Sequence, residues 1–181
     1  MKFKPSYTSS IAEDIMAERL IRAQAVEFLA DAPMRLKSGL ISPVYVDNRK
    51  LFSHPEAWRD IVETMASRVE EYDLEFDIVA GVEAAGSMHA AALAYRLGLP
   101  AIMVRQKAKT YGNHSRIEGG DVKGMRVLLL EDHISTGLSC LDAIRALRGE
   151  GAHVTQVMSI TNYAIPETQR LFKQEGIDTY Y

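Results

Sequence analysis

The chain has 181 residues, of which 47% are hydrophobic and 25% are charged. This is an ordinary globular composition, with enough length for one domain with a sizeable core. The net charge of −3 argues against a general nucleic-acid binder or a membrane-surface binder. The single Cys140 excludes an internal disulfide, and no Cys/His spacing resembles a zinc site.

The chain has no sequence signal for a membrane. Residues 1–10, MKFKPSYTSS, lack the apolar segment of a signal peptide, and no stretch approaches the length that crosses a bilayer. We therefore expect a cytoplasmic protein with neither a membrane nor a nucleic acid as its partner.

The first 53 residues predict helices followed by a small antiparallel piece. Helical spacing up to residue 32 places one set of apolar side chains on a common face, namely Ile11, Ile15, Ile21, Ala25, Phe28 and Leu29. Further on, Ser38-Gly39 is a turn signal, and the strand predicted over Ser42–Asp47 contains Pro43, which is typical of an edge.

From Pro55 onward, helical and strand patterns alternate. The predicted helices are Pro55–Glu71, Met88–Leu97, one following Ser139, and Pro166–Gln174, and the predicted strands are Asp77–Gly81, Ala101–Val104, Val127–Leu130 and Val154–Ile160. Such alternation predicts an α/β fold with a mostly parallel sheet covered on both faces. In sheets of this kind, ligands bind at the carboxyl ends of the strands.

A chemically informative stretch follows the strand Val127–Leu130. Glu131 and Asp132 come at once, where we expect the strand to leave the core, and a small hydroxylated turn, Ser135–Ser139, leads into the next helix. The backbone N–H groups of such a turn, together with the helix dipole, suit a phosphate. The two carboxylates suit sugar hydroxyls or a divalent cation. A capped turn with two solvated acids remains the alternative at this point.

Two other connections lie at the same predicted edge of the sheet. The turn Gly81–Ser87 has glycines and small residues that let its backbone approach an anion closely. The loop over residues 105–124 is long, rich in glycine, and has five basic and two acidic side chains. A loop of this length is usually functional or disordered, and its charge suits a strongly anionic substrate. A solvated surface loop is the alternative.

Four ordered segments resemble the orotate phosphoribosyltransferases, a branch of the type I phosphoribosyltransferases. LLLEDHISTGLS, from residue 128, resembles the signature for phosphoribosyl pyrophosphate (PRPP). K-S-G-x-x-S-P-x-Y-x-D, from residue 37, resembles the hood segment, and V-R-x-K-x-K-x-[HY]-G, from residue 104, resembles the catalytic loop. Residues 157–172 resemble a subgroup with an aromatic–x–x–Pro segment.

The resemblance implies the type I phosphoribosyltransferase fold over residues 1–181 as one domain. In that fold a central, mostly parallel sheet is flanked by helices and has a small N-terminal hood. N-terminal helices and hood would occupy residues 1–53, and the α/β core would occupy residues 54–181, with a flexible catalytic loop over residues 105–124.

The implied activity is Mg²⁺-dependent transfer of phosphoribose from PRPP to orotate. This reaction gives orotidine 5′-phosphate and pyrophosphate, in pyrimidine (UMP) biosynthesis. The implied catalytic residues are Arg105, Lys107, Lys109 and Asp132. The implied PRPP-binding residues are Lys37, Arg105, Lys109, Tyr111, Glu131, Asp132, His133, Ile134, Ser135, Thr136, Gly137, Leu138 and Ser139. The implied orotate-binding residues are Tyr45, Val46 and Ser135.

The resemblance also implies that PRPP itself holds most of the Mg²⁺ coordination, without a dedicated protein metal site. It implies a homodimer whose active sites are shared across the interface. The chain departs from common family residues at His133, at Ala85 and Gln106 where lysines occur, and at Tyr111 where histidine occurs. Two other hypotheses stay open, namely a phosphoribosyltransferase for another base and a PRPP-binding regulator on the same fold.

Overall fold

A central sheet with helices on both faces organises the chain. The computed structural model describes residues 11–29, 31–35, 39, 41–108 and 115–181. In chain order the elements are α1 (Ile11–Arg22), β1 (Val26–Phe28), β2 (Met34–Arg35), β3 (Ile41–Ser42), β4 (Val44–Val46), a 3₁₀ helix (Asn48–Ser53), α2 (Pro55–Glu71), β5 (Ile78–Val82), α3 (Ala85–Leu97), β6 (Ala101–Val104), β7 (Ile117–Glu118), β8 (Arg126–Ile134), α4 (Leu138–Gly149), β9 (His153–Asn162), α5 (Pro166–Gln174) and β10 (Asp178–Tyr180).

The central sheet confirms the predicted α/β architecture. Its strand order is β10-β9-β8-β5-β6-β7, and every neighbouring pair is parallel except β6 with β7. Alternate side chains of the buried strands enter opposite cores, because side chains in a strand point to alternating faces. Leu128 and Leu130 pack with α1, α2 and α3, whereas Leu129 packs with α4 and α5. Among the described residues, every helix is too short or too polar to span a lipid bilayer.

Helix α1 ends earlier than the sequence predicts. The chain reverses after Arg22 because Gln24 adopts a left-handed conformation, with φ of 55°, and Val26–Phe28 then form a strand instead of more helix. The predicted apolar face is also wrong, since Ile11 is 81% exposed and Phe28 is 74% exposed. Helix α1 instead buries Met16 and Leu20 against the core.

The hood consists of two small antiparallel pairs. β2 pairs with β3, as predicted, and β4 pairs with β1 in the register Val26↔Val46. The strand predicted over Ser42–Asp47 is divided at Pro43, where the Ser42 hydroxyl accepts a hydrogen bond from the Val44 amide at 3.1 Å. β4 leads directly into the 3₁₀ helix, which crosses to the end of β8.

Strand β8 and helix α3, among the core elements, are longer than predicted. β8 does not leave the core at the acids but continues to Ile134, because β9 pairs beside it as far as Ile134↔Asn162. Helix α3 begins at Ala85 rather than Met88, and it ends, as predicted, at Gly98, whose φ of 68° is left-handed. Both differences lie at the carboxyl edge of the sheet.

Candidate active site

A cleft of about 600 Å³ opens at the carboxyl edge of the sheet, beneath the hood. Three connections and one hood strand form its walls. The described residues that line it are Tyr45, Val46, Asp47, Arg49, Glu83, Ala84, Ala85, Gln106, Glu131, Asp132, His133, Ile134, Ser135, Thr136, Gly137, Leu138, Ser139 and Cys140. The cleft therefore joins segments that lie more than eighty residues apart in the chain.

The two neighbouring acids at the end of β8 have different environments. Glu131 is only 7% exposed, and its Oε1 accepts a hydrogen bond from the Asp132 amide at 3.3 Å, whereas Asp132 is half-buried. Burial, and then the neighbouring Asp132 carboxylate, raise the pKa of Glu131 well above its ordinary range. A carboxyl that keeps its proton can donate a hydrogen bond as well as accept one, so the pair suits adjacent hydroxyls of a sugar.

Asn48, in the first turn of the 3₁₀ helix, fixes the backbone of this acid pair. Its fully buried amide donates to the Asp132 carbonyl at 2.6 Å and to the Thr161 hydroxyl oxygen at 2.8 Å. His133 is on β8, and its Nδ1 lies 2.9 Å from the hydroxyl of Thr161 on β9. The 3₁₀ helix, β8 and β9 thus meet at one polar junction directly behind Asp132.

His133 and Tyr163 extend this junction back to the hood. The His133 ring packs edge-on against the Tyr163 ring, with the two ring centroids 4.4 Å apart. The Tyr163 hydroxyl donates a hydrogen bond to the Val44 carbonyl at 2.9 Å. Burial lowers the pKa of His133, although the Asp132 carboxylate opposes that shift. The His133 ring is therefore held between the Thr161 hydroxyl and the Tyr163 ring, and its lowered pKa favours the neutral imidazole.

The turn after β8 presents backbone N–H groups at the start of α4. Gly137 has φ of 73°, and a Cβ there would lie 2.9 Å from side-chain atoms of Phe172 and Thr168 on α5, so only glycine fits. Thr168 also donates a hydrogen bond from its hydroxyl to the Ser135 carbonyl at 3.0 Å. No side chain among the described residues caps α4 at Gly137, so its first amides face the cleft as a candidate phosphate site.

The turn between β5 and α3 forms the facing wall. A Cβ at Gly81 would clash with the backbone of Gly86 and Ser87, and a Cβ at Gly86 would lie 2.8 Å from the Leu130 carbonyl. The glycines therefore let this turn pack tightly beside the end of β8. The Glu83–Ala84 peptide bond within it is cis.

The basic loop leaves β6 beside that same turn. The Gln106 amide donates to Glu83 Oε2 at 3.0 Å, and its side-chain Nε2 donates to the Glu83 carbonyl at 3.1 Å. Arg105 forms an ion pair with Glu118 at 2.8 Å, and Arg116 donates from Nε to the Arg105 carbonyl at 2.8 Å. The two ends of the loop are thus held together beside the turn of Glu83.

The structure brings most of the predicted site residues into this one cleft. The predicted residues among its lining are Tyr45, Val46, Glu131, Asp132, His133, Ile134, Ser135, Thr136, Gly137, Leu138 and Ser139. Arg105 and Lys107 do not line it but lie in the basic loop, on either side of Gln106, which does line it. Lys37, Lys109 and Tyr111 lie outside the described residues.

Sequence reasoning did not assign roles to several residues of the cleft. Asp47, Arg49 and Glu83 line it, and Asn48 lies behind it, but none belongs to the predicted set. The string D-N-R follows a hood strand that lies in a separate antiparallel pair, so the carboxyl-edge rule of parallel sheets did not point to it. Among the described residues, no group of three or more His, Cys, Asp or Glu side chains could hold a metal ion.

Comparisons with known proteins agree with this geometry. The family model for the phosphoribosyl transferase domain matches residues 47–173. The chain is 44% identical to an orotate phosphoribosyltransferase of Coxiella burnetii over 165 residues, which cover 91% of this chain and 79% of that protein. The crystal structure of orotate phosphoribosyltransferase from Aeropyrum pernix has a TM-score of 0.79 and 28% identity, covering 91% of this chain and 90% of the other.

A third relative was crystallised with a ligand. The orotate phosphoribosyltransferase of Mycobacterium tuberculosis, in complex with PRPP, has a TM-score of 0.71 and 26% identity, covering 93% of each chain. The phosphoribosyl transferase match spans the 3₁₀ helix, the acid pair Glu131 and Asp132, the turn Ser135–Ser139 (the phosphate turn) and the basic loop over residues 105–124. With 44% identity to a relative of which it covers 79%, the chain belongs to the orotate phosphoribosyltransferase family of pentosyltransferases.

Proposed function

We propose that the protein transfers phosphoribose from PRPP to orotate, forming orotidine 5′-phosphate and pyrophosphate in pyrimidine biosynthesis. The observation that carries this proposal is the single cleft that holds an acid pair, a phosphate turn and a hood strand together. The orotate phosphoribosyltransferase names of its relatives give the substrate pair its support.

The phosphoribosyl group would lie along the end of β8. The amides and hydroxyls of Ser135–Ser139 would bind the 5′-phosphate, and Glu131 and Asp132 would accept or donate hydrogen bonds to the ribose hydroxyls. Asp132 would also stabilise positive charge on the ribosyl carbon as the pyrophosphate leaves. Asn48 would keep Asp132 at a fixed distance from the sugar through its bond to the Asp132 carbonyl.

The base would lie between the hood and the sugar. Tyr45 and Val46 would flank its flat faces, and Ser135 would contact its edge. Arg105, Lys107 and Lys109 would neutralise the leaving pyrophosphate, while Lys37 and Tyr111 would contact PRPP. Closing the basic loop would exclude water, which could otherwise hydrolyse the sugar.

Magnesium would be held mainly by oxygens of PRPP rather than by a dedicated set of protein ligands. When bound, the ion would spread the negative charge of the pyrophosphate.

The proposal includes a homodimer in which the basic loop of one subunit reaches the cleft of the other. The strongly exposed Ile11, Ile21 and Phe28 are apolar side chains that such an interface could cover.

A base panel tests the proposal. Loss of ultraviolet absorbance of orotate would be followed with PRPP and Mg²⁺, beside parallel assays with uracil, adenine, guanine and xanthine. We expect consumption of orotate alone. Turnover of a different base would replace the assigned substrate, and PRPP binding without turnover of any base would favour a PRPP-binding regulator.

A further inference from the structure

The first turn of the 3₁₀ helix, which links the hood to α2, sends two neighbouring side chains in opposite directions. Asn48 is fully buried and bonds to the Asp132 carbonyl at 2.6 Å, whereas Arg49 extends into the cleft and is 62% exposed in its side chain. The contact of Asn48 fixes the position of this turn relative to Asp132. Arg49 is therefore carried at a defined place on the hood side of the cleft.

The guanidinium of Arg49 is held by a fork of hydrogen bonds. Its Nε donates to Asp47 Oδ1 at 2.6 Å, and its Nη2 donates to Asp47 Oδ2 at 2.9 Å. Asp47 is itself fixed, because its Oδ1 also accepts from the Arg49 amide at 3.2 Å and its own amide donates to the Ala25 carbonyl. A guanidinium has five N–H donors, so the outer edge of Arg49 keeps donors for a planar anion.

Charge in the cleft makes this donor set conspicuous. Of the described residues that line the cleft, Arg49 is the one with a lysine or arginine side chain, while Asp47, Glu83, Glu131 and Asp132 are acids. The end of β9 supplies Thr161 and Asn162, and their side chains already bond within the protein, to Asn48 and to the Ala164 amide. An anionic base therefore finds one fixed cation on the described walls.

We propose that Arg49 is a specificity-determining residue that binds the carboxylate of the base, an inference that rests on the proposed function. Arg49 follows the base-flanking pair Tyr45 and Val46 by only a few residues, whereas the turn of Glu83 and the phosphate turn form other walls. The planar fork of arginine matches a carboxylate in two parallel hydrogen bonds. Asp47 orients this fork and does not contact the base.

Steady-state kinetics of the full-length enzyme tests the assignment. In Arg49→Gln we expect the KM for orotate to rise about tenfold or more, because a charge-assisted pair is lost. The KM for PRPP should change by less than about twofold, because the pyrophosphate and phosphate lie on other walls. Arg49→Lys, which keeps the charge but not the fork, should show an intermediate KM for orotate.

A carboxylate-free base separates this role from a general effect on the cleft. Uracil would be measured as a competitive inhibitor against orotate. We expect its inhibition constant to be the same in wild type and Arg49→Gln, since uracil has no carboxylate for Arg49 to bind. Arg96→Gln is the matched control, because Arg96 donates from Nε to both carboxylate oxygens of Glu63, at 2.7 and 2.8 Å, on the exposed side of α3 and does not line the cleft.

The outcomes are distinct. A raised KM for PRPP with an unchanged KM for orotate would overturn the assignment and place Arg49 on the pyrophosphate. An equal loss of uracil and orotate affinity in Arg49→Gln would also overturn it. If wild type does not consume orotate at all, the proposed function itself fails, whereas wild-type turnover with unchanged orotate KM in both variants refutes only the role of Arg49.

Discussion

At the residue scale, Asp132 is the side chain on which the proposed chemistry most depends. Its carboxylate faces the cleft, while its backbone carbonyl is bound by Asn48 from behind. The side chain therefore lies where it can reach a ligand, while the backbone behind it is held in place. A change to the carboxylate alone should leave the fold unaffected.

We predict that Asp132→Asn lowers turnover at least about tenfold, because the neutral amide cannot stabilise positive charge on the ribosyl carbon. The melting temperature should stay close to that of wild type. Asp178→Asn, at an exposed position of β10, is the control and should keep full activity. Wild-type turnover in Asp132→Asn would rule out the assigned role in the reaction.

Glu131 gives a prediction with a pH dependence. Its pKa is raised in the folded protein by burial and by Asp132, so the folded state holds this proton more tightly than the unfolded state. The contribution of this group to stability is therefore complete below the ordinary glutamate pKa of about 4.3 and declines as pH rises through the folded value.

Glu131→Gln has no such proton to lose. We expect the ligand-free variant to melt at a higher temperature than wild type, by a margin that grows as pH rises above the ordinary range, and to have lower turnover. Thermal unfolding across a pH series measures this margin. If the melting temperatures of the variant and wild type differ by the same amount at every pH, the buried, proton-retaining state of Glu131 is contradicted.

Sequence foresaw the types of these residues but not their environments. An acid pair before a hydroxylated turn is a local pattern, so Glu131, Asp132 and Ser135–Ser139 could be identified from the order of residues. The partners of Asp132 could not, because Asn48 and Thr161 are separated by 113 positions in the chain and meet only in the folded sheet. Arg49 went unassigned for the same reason.

At the element scale, the turn before α3 and the start of the basic loop behave as one unit. Gln106 joins them through its backbone amide and its side chain, both of which donate to Glu83. The resemblance to the family implies a lysine at this position, so the glutamine keeps a donor there without its charge. The contact fixes where the loop departs from β6.

We predict that Gln106→Ala raises the KM for PRPP about threefold or more, since it removes the side-chain hydrogen bond that holds the loop start. The KM for orotate should not change. Gln106→Lys, which restores a donor and adds charge, should have a KM for PRPP at or below that of wild type. Gln174→Ala, exposed at the end of α5, is the control. Equal KM values in all variants would refute the role of this contact.

Core elements were predicted more accurately than the N-terminal ones. Helices α2 and α5 and strand β6 match their predicted bounds. Pro55 and Pro166 mark the starts of the two helices in the sequence, and Pro100 directly precedes the strand. The length of β8 was underestimated, since pairing with β9 overrides the polar character of its last residues. Helix α1 was overextended, because nothing local reveals the left-handed Gln24.

At the scale of the whole molecule, the hood and core depend on each other. The Tyr163 hydroxyl bonds the hood strand at Val44, and Asn48 bonds the end of β8, so the cleft is assembled from both parts. The proposed dimer adds the basic loop of a second subunit to that cleft. Activity would then require residues from two chains.

Mixed subunits test this sharing. We expect Lys109→Ala and Asp132→Asn to be weakly active alone, and an equal mixture to recover roughly a quarter of wild-type activity, because a mixed dimer regains one intact site. Copurification through a tag on one variant would establish that mixed dimers form. Mixed dimers without recovered activity would mean that each site is built from a single chain.

Phosphoribosyl transfer itself is tested by quantifying both products over time from wild-type protein with orotate, PRPP and Mg²⁺. We expect orotidine 5′-phosphate and pyrophosphate in equal molar amounts, because one transfer releases one of each. Pyrophosphate without orotidine 5′-phosphate would reveal hydrolysis instead of transfer, and the absence of both products would contradict the proposed reaction.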